Sequence, residues 1–75
     1  MTTHALQMAQ ARGIDPRKVA AAEASVGTHS AAVVIWTGRE KVQIVPVRNG
    51  QATTALFEDR KAIGRMYKDL PVRWL

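Results

Sequence analysis

The stretch "SAAVVIWTGREKVQIVPVRNGQATTALF", Ser30 to Phe57, decides the fold of this chain. It contains three runs rich in β-branched and apolar residues, "SAAVVIWT", "EKVQIVPVR" and "QATTALF", separated by Gly38-Arg39 and Asn49-Gly50. Branching at Cβ suits a pleated, half-buried strand better than a helix. Asn-Gly is the strongest short hairpin signal, because both central residues of a type I′ turn need positive φ. Residues 29–57 therefore predict a three-stranded antiparallel meander.

Two-residue turns fix a register. Arg48 pairs with Gln51 and Ile44 with Ala55; Thr37 pairs with Glu40 and Val33 with Ile44. One face then carries Ala31, Val33, Ile35, Val42, Ile44, Ala55 and Phe57. The other is mixed and carries Ala32, Val34, Trp36, Lys41, Gln43, Val45, Ala52, Thr54 and Leu56. A slip of one residue would exchange the faces. Pro46 conflicts with the central position of its strand, since it has no N–H for the ladder. Either the pairing ends before it or a bulge sets it outside.

N-terminal to the sheet, residues 3–27 read as a helical hairpin. Thr2 or Thr3 can cap the first helix, and Gly13 can end it. Asp15-Pro16 starts the second: Asp accepts from open backbone donors, and Pro fits the first helical position. Val19, Ala22 and Val26 form its packing face.

C-terminal to the sheet, "DRKAIGRMYKDLPVRW", Asp59 to Trp74, fits the helical period over 58–70. Ala62, Ile63, Met66, Tyr67 and Leu70 fall on one side, and Arg60, Lys61, Arg65 and Lys68 on the other. Pro71 stops the helix and 71–75 form a tail. Ile63, Met66 and Leu70 are expected to cover the Val33, Ile44 and Phe57 face. The fold class is thus α+β, a small single domain over 1–75 in the order α-α-β-β-β-α, with a basic amphipathic C-terminal helix.

Length and composition bound the function. A chain of 75 residues has room for one small core. It has no cysteine, hence no disulfide framework, thiolate metal site or thiol nucleophile. The N-terminus lacks a secretion-signal pattern, and the longest strongly apolar run, "AAVVIW", is too short to span a bilayer. The expectation is a cytoplasmic protein. The net charge of +5 is uneven: residues 1–38 hold three basic and two acidic groups, residues 39–75 eight and four. Such a field favours anionic partners, including nucleic acid, acidic protein surfaces and membrane headgroups, and selects none of them.

No motif names a reaction. His4 and His29 lie far apart and outside any metal-ligand spacing. Glu58 and Asp59 suit the start of a helix, where negative charge is favoured. Ser25 and Ser30 lack a nucleophile-elbow pattern, and the glycines fall singly at turns. The expectation is therefore no enzyme, no cofactor and no metal.

Three binding signals remain. The spacing Ala9-x3-Gly13-x5-Val19-x2-Ala22 resembles that of helix-turn-helix proteins over about residues 5–24. That resemblance implies a recognition helix with Arg17 and Lys18 meeting DNA. A plain helical hairpin explains the same residues more simply. The second signal is the basic set Arg60, Lys61, Arg65 and Lys68 with Trp36 and Trp74, which could steer and anchor a partner. The mixed sheet face, if uncovered, would serve a homodimer.

The expected function is a non-catalytic binding protein, an accessory or inhibitor protein that occupies a surface of a protein or nucleoprotein complex. Small, cysteine-free, motif-free proteins of phages and mobile elements, anti-CRISPR proteins among them, have this profile. The alternative is direct DNA or RNA binding through Arg17 and Lys18 or through Arg65 and Lys68.

Overall fold

A computed structural model describes Met1–Leu75. Helix α1 (Thr3–Ala11) and helix α2 (Pro16–Val26) precede strands β1 (Ala31–Ile35), β2 (Lys41–Arg48), β3 (Gln51–Ala52) and β4 (Leu56–Asp59). A 3-10 turn (Arg60–Ala62), the one-turn helix α3 (Ile63–Met66) and strand β5 (Val72–Trp74) complete the chain. The result is a small α+β domain with a five-stranded mixed sheet.

The helical hairpin forms for the reasons legible in the sequence. Thr2 caps α1 by accepting from Ala5 N–H at 3.1 Å. Asp15 caps α2, accepting from Arg17 N–H at 2.9 Å, with Pro16 at the first helical position. Ala5, Ala9, Ile14, Val19, Ala22 and Val26 are buried against the sheet. The chain start is tied to this layer: Thr2 N–H donates to the Ala52 carbonyl at 3.0 Å, and the Met1 amino group lies 2.7 Å from Glu23 Oε2. Glu23 Oε2 also accepts from Ala52 N–H at 2.7 Å, so one carboxylate fastens α2 to β3.

The Asn49-Gly50 hairpin is present, with both residues at positive φ and Arg48 opposite Gln51. The first turn differs from expectation. Val33 lies opposite Val45 and Ile35 opposite Gln43, one residue away from the two-residue-turn register. The longer connection is closed by the Thr37 hydroxyl, which donates to the Lys41 carbonyl at 2.6 Å. The shift turns β2 over relative to β1. Val45 and Val47 join Ala31, Val33 and Ile35 beneath the helices, while Val42 and Ile44 join Ala32 and Val34 on the opposite face.

Pro46 accounts for the second difference. β2 is central, and the expected third strand is broken into β3 and β4 on one side of it. The Pro46 carbonyl accepts from Thr53 N–H at 3.0 Å, where the chain bulges between the two pieces. The N–H and C=O of a strand residue point to the same side, so the missing donor faces this break. The bulge advances the register, and Ile44 pairs with Leu56 instead of Ala55.

The expected helix over 58–70 is reduced to a 3-10 turn and one turn of α-helix. Glu58 and Asp59 are taken by the ladder opposite Val42 and Lys41. Gly64 lowers the helical propensity of the remaining segment, and Tyr67 has left helical backbone geometry at φ −128. Ile63 and Leu70 are buried as expected, but Met66 is 41% exposed. They cover Val34, Val42 and Ile44, with Tyr67 and Leu56 beside them, and not the Val33 and Phe57 face. The mixed face is therefore covered from within the chain. Of its large apolar residues, Trp36 alone stays exposed. The tail folds back on the domain edge: 72–74 pair in parallel with β1 as an edge strand.

Candidate functional site

Trp36 leaves the sheet just after β1, where neither cover reaches, and is 49% exposed. Arg60, the first residue of the 3-10 turn, stacks on it, with the guanidinium carbon 5.6 Å from the ring centroid. That separation is within cation–π range. Asp59 organises the turn by accepting from Lys61 N–H at 2.9 Å. Trp36, Glu40, Asp59, Arg60 and Lys61 line one shallow depression. Sheet pairing at Asp59 and the adjoining 3-10 turn thus bring together three residues singled out in the sequence, Trp36, Arg60 and Lys61.

The other expected site residues lie elsewhere. Arg65 and Lys68 are exposed but do not line this depression. Trp74 is 52% exposed on β5, opposite Val34. None of Arg60, Lys61, Arg65 and Lys68 is held in an ion pair. Arg17, by contrast, is engaged: its guanidinium meets the Asp15 carboxylate at 2.8 Å. The hydrogen bonds from Arg17 hold the Asp15 carboxyl below its ordinary value. Lys18 is exposed beside this pair.

A second cleft adjoins the first through their shared Glu40. It has a volume of about 560 Å³ and is lined by Thr37, Arg39, Glu40, Lys41, Gln43 and Phe57. Gln43 is 7% exposed, and its Oε1 is buried with no hydrogen-bond partner. The register sets Gln43 between Ile35 and Phe57. Sequence reasoning missed this residue. An alternating strand gives each polar residue an equal appearance of facing solvent, and only the register shift buries this one.

No protein-family profile matches this chain, and no curated protein or solved structure matches it.

Proposed function

We propose that this chain is a non-catalytic binding protein, of accessory or inhibitor type, that docks on an acidic surface of a protein or nucleoprotein complex. The observation that carries this is the half-exposed Trp36 beneath Arg60, with Lys61 beside it and no carboxylate of the chain paired to either cation. Trp and Arg are the residues most enriched in interface hot spots. A tryptophan already stacked by a guanidinium loses little side-chain freedom on docking. Arg65, Lys68 and Trp74 extend the cationic and aromatic surface outside the depression.

Direct nucleic-acid binding is the second reading, favoured by the net charge of +5 and the unpaired Arg65 and Lys68. Two features weigh against it. Arg17 is already paired with Asp15. Glu40 and Asp59 sit among the cations of the depression.

The test compares wild type, Trp36→Ala and the double variant Arg65→Glu, Lys68→Glu in pull-downs and in binding to labelled random duplex DNA and RNA. A protein partner retained by wild type should be lost by more than about tenfold with Trp36→Ala. The double charge reversal should act mainly on association rate and salt dependence. Duplex binding that survives near-physiological salt and falls with the double reversal would sink the protein-docking assignment.

A further inference from the structure

Strand β5 is an edge that the chain leaves open. Its register with β1 sets Arg73 opposite Val33. The ladder runs through Pro71, Arg73 and Leu75: Ala32 N–H donates to the Pro71 carbonyl at 2.8 Å, and Leu75 N–H donates to the Val34 carbonyl at 2.9 Å. Backbone polar groups alternate sides along a strand, so the N–H and C=O of Val72 and Trp74 point away from β1. No turn or loop hydrogen bond takes these four groups. The opposite side of the sheet is closed from within. On β3, Ala52 N–H donates to Glu23 and the Ala52 carbonyl accepts from Thr2 N–H. At the two ends of β4, the Ala55 carbonyl accepts from Arg12 at 2.7 Å and Asp59 N–H donates to Glu58 at 2.9 Å. The β5 side chains are open as well. Val72 is 43% exposed, Trp74 is half exposed, and Arg73 is exposed without an ion pair.

From this edge we infer that β5 takes up an extended segment of a partner protein as an added strand, and that the segment reads apolar–acidic–apolar. In such pairing the open main-chain groups give affinity and alternate side chains give specificity. In an antiparallel pair, Val72 and Trp74 each exchange two hydrogen bonds with a partner residue, and the residue between those two stands directly opposite Arg73. That position is a non-hydrogen-bonded pair, where side chains approach closest, so a carboxylate there meets the unpaired guanidinium. The two flanking partner residues share a face with Val72 and Trp74, where apolar side chains cover exposed apolar surface. The same geometry opposes a second copy of this chain. Two β5 strands related by a two-fold axis would pair Val72 with Trp74 and set Arg73 against Arg73, and like charges directly opposite are destabilising. The inference deepens the protein-docking reading, yet β5 residues do not line the Trp36 depression, so the two surfaces are tested separately.

The test uses the intact chain and the blocked pentapeptide acetyl-Thr-Val-Glu-Val-Thr-amide, with binding read from backbone amide NMR. Saturable shifts are expected at Val72, Arg73 and Trp74. A peptide with Lys in place of Glu should bind about fivefold more weakly or worse. Arg73→Glu should reverse the preference between the two peptides. That variant still carries a net charge of 5 − 2 = +3, so a reversal reports the local pair and not the overall field. Methylating both Val nitrogens of the Glu peptide removes its ladder donors and should abolish binding without touching the protein. Val72→Pro removes an outward N–H that β1 does not use. It should leave the unfolding midpoint near that of the wild type and abolish peptide binding. Trp36→Ala should leave peptide binding unchanged, whatever it does to docking at the depression. Absence of saturable shifts with the Glu peptide would overturn the inference. So would equal binding of the Lys or the methylated peptide, shifts centred on Trp36, Arg60 and Lys61, or wild-type self-association through residues 72–74.

Discussion

Gly50 carries two constraints at once. Its φ of +82 completes the type I′ turn, and a Cβ there would lie 2.8 Å from the Gly27 carbonyl oxygen. Its N–H also donates to the His29 carbonyl at 2.9 Å, so the hairpin tip is fastened to the link between α2 and β1. Both strain and clash oppose a side chain. Gly50→Ala is expected to lower the unfolding free energy by about 1–3 kcal/mol, read from urea denaturation. Asn49 is legible from the same dipeptide, since its φ of +53 is one that asparagine tolerates better than most residues. Pro46 was legible as a conflict, but its resolution was not. A missing donor says that the ladder must fail nearby, and it does not say which neighbouring strand will break.

Among the elements, the C-terminal segment shows how local period loses to pairing. The apolar stripe over 58–70 is genuine, and Ile63 and Leu70 do enter the core. Residues Leu56–Asp59 gain more as a strand beside β2, which leaves only Ile63–Met66 for an α-helical turn. A helix so short is weak in isolation and depends on packing. Gly64 sits in that turn at ordinary φ, exposed, with open space where a Cβ would stand. Gly64→Ala should therefore raise stability by roughly 0.5–1 kcal/mol, seen as a higher urea midpoint with unchanged m-value. The helical hairpin, in contrast, was almost wholly legible, because caps, proline and alanine act within a few residues of themselves. Its Glu23 was not: nothing local says that this carboxylate reaches the chain start and β3.

For the whole molecule, charge and cover act together. The segment covering the Ile44 face is fastened at its far end by Arg48, whose guanidinium meets the Asp69 carboxylate at 2.8 Å. The Arg48 hydrogen bond holds the Asp69 carboxyl below its ordinary value of 3.8. A carboxyl with a lowered folded value favours the folded state above its unfolded value. That contribution is lost as pH falls through the folded one. Asp15, paired with Arg17, acts in the same direction. Acidification thus removes two restraints while the net charge rises above +5. In an NMR titration the Asp69 carboxyl should titrate below 3.8, and Arg48→Gln should return it upward. An Asp69 titration unchanged by that substitution would remove the ion pair from this account.

The amino-acid sequence by itself determined the two N-terminal helices, the Asn49-Gly50 hairpin, the alternation along each strand and the basic bias of the C-terminal half. Each of these rests on interactions within a few residues, or on composition. The tertiary structure alone decided which faces meet. One extra residue in the connection after Trp36 turns β2 over, and one bulge opposite Pro46 restores the phase of β4. Side chains alternate with a period of two, so a one-residue step inverts a strand while leaving its local pattern unchanged. That step carries Gln43 from an apparent solvent face to a buried position beside Phe57. Long-range pairing likewise turns residues 56–59 into a strand, and the adjoining 3-10 turn brings Arg60 over Trp36. Trp36 and Arg60 were visible as residues, and their contact was not, because it is made by pairing between strands distant in sequence.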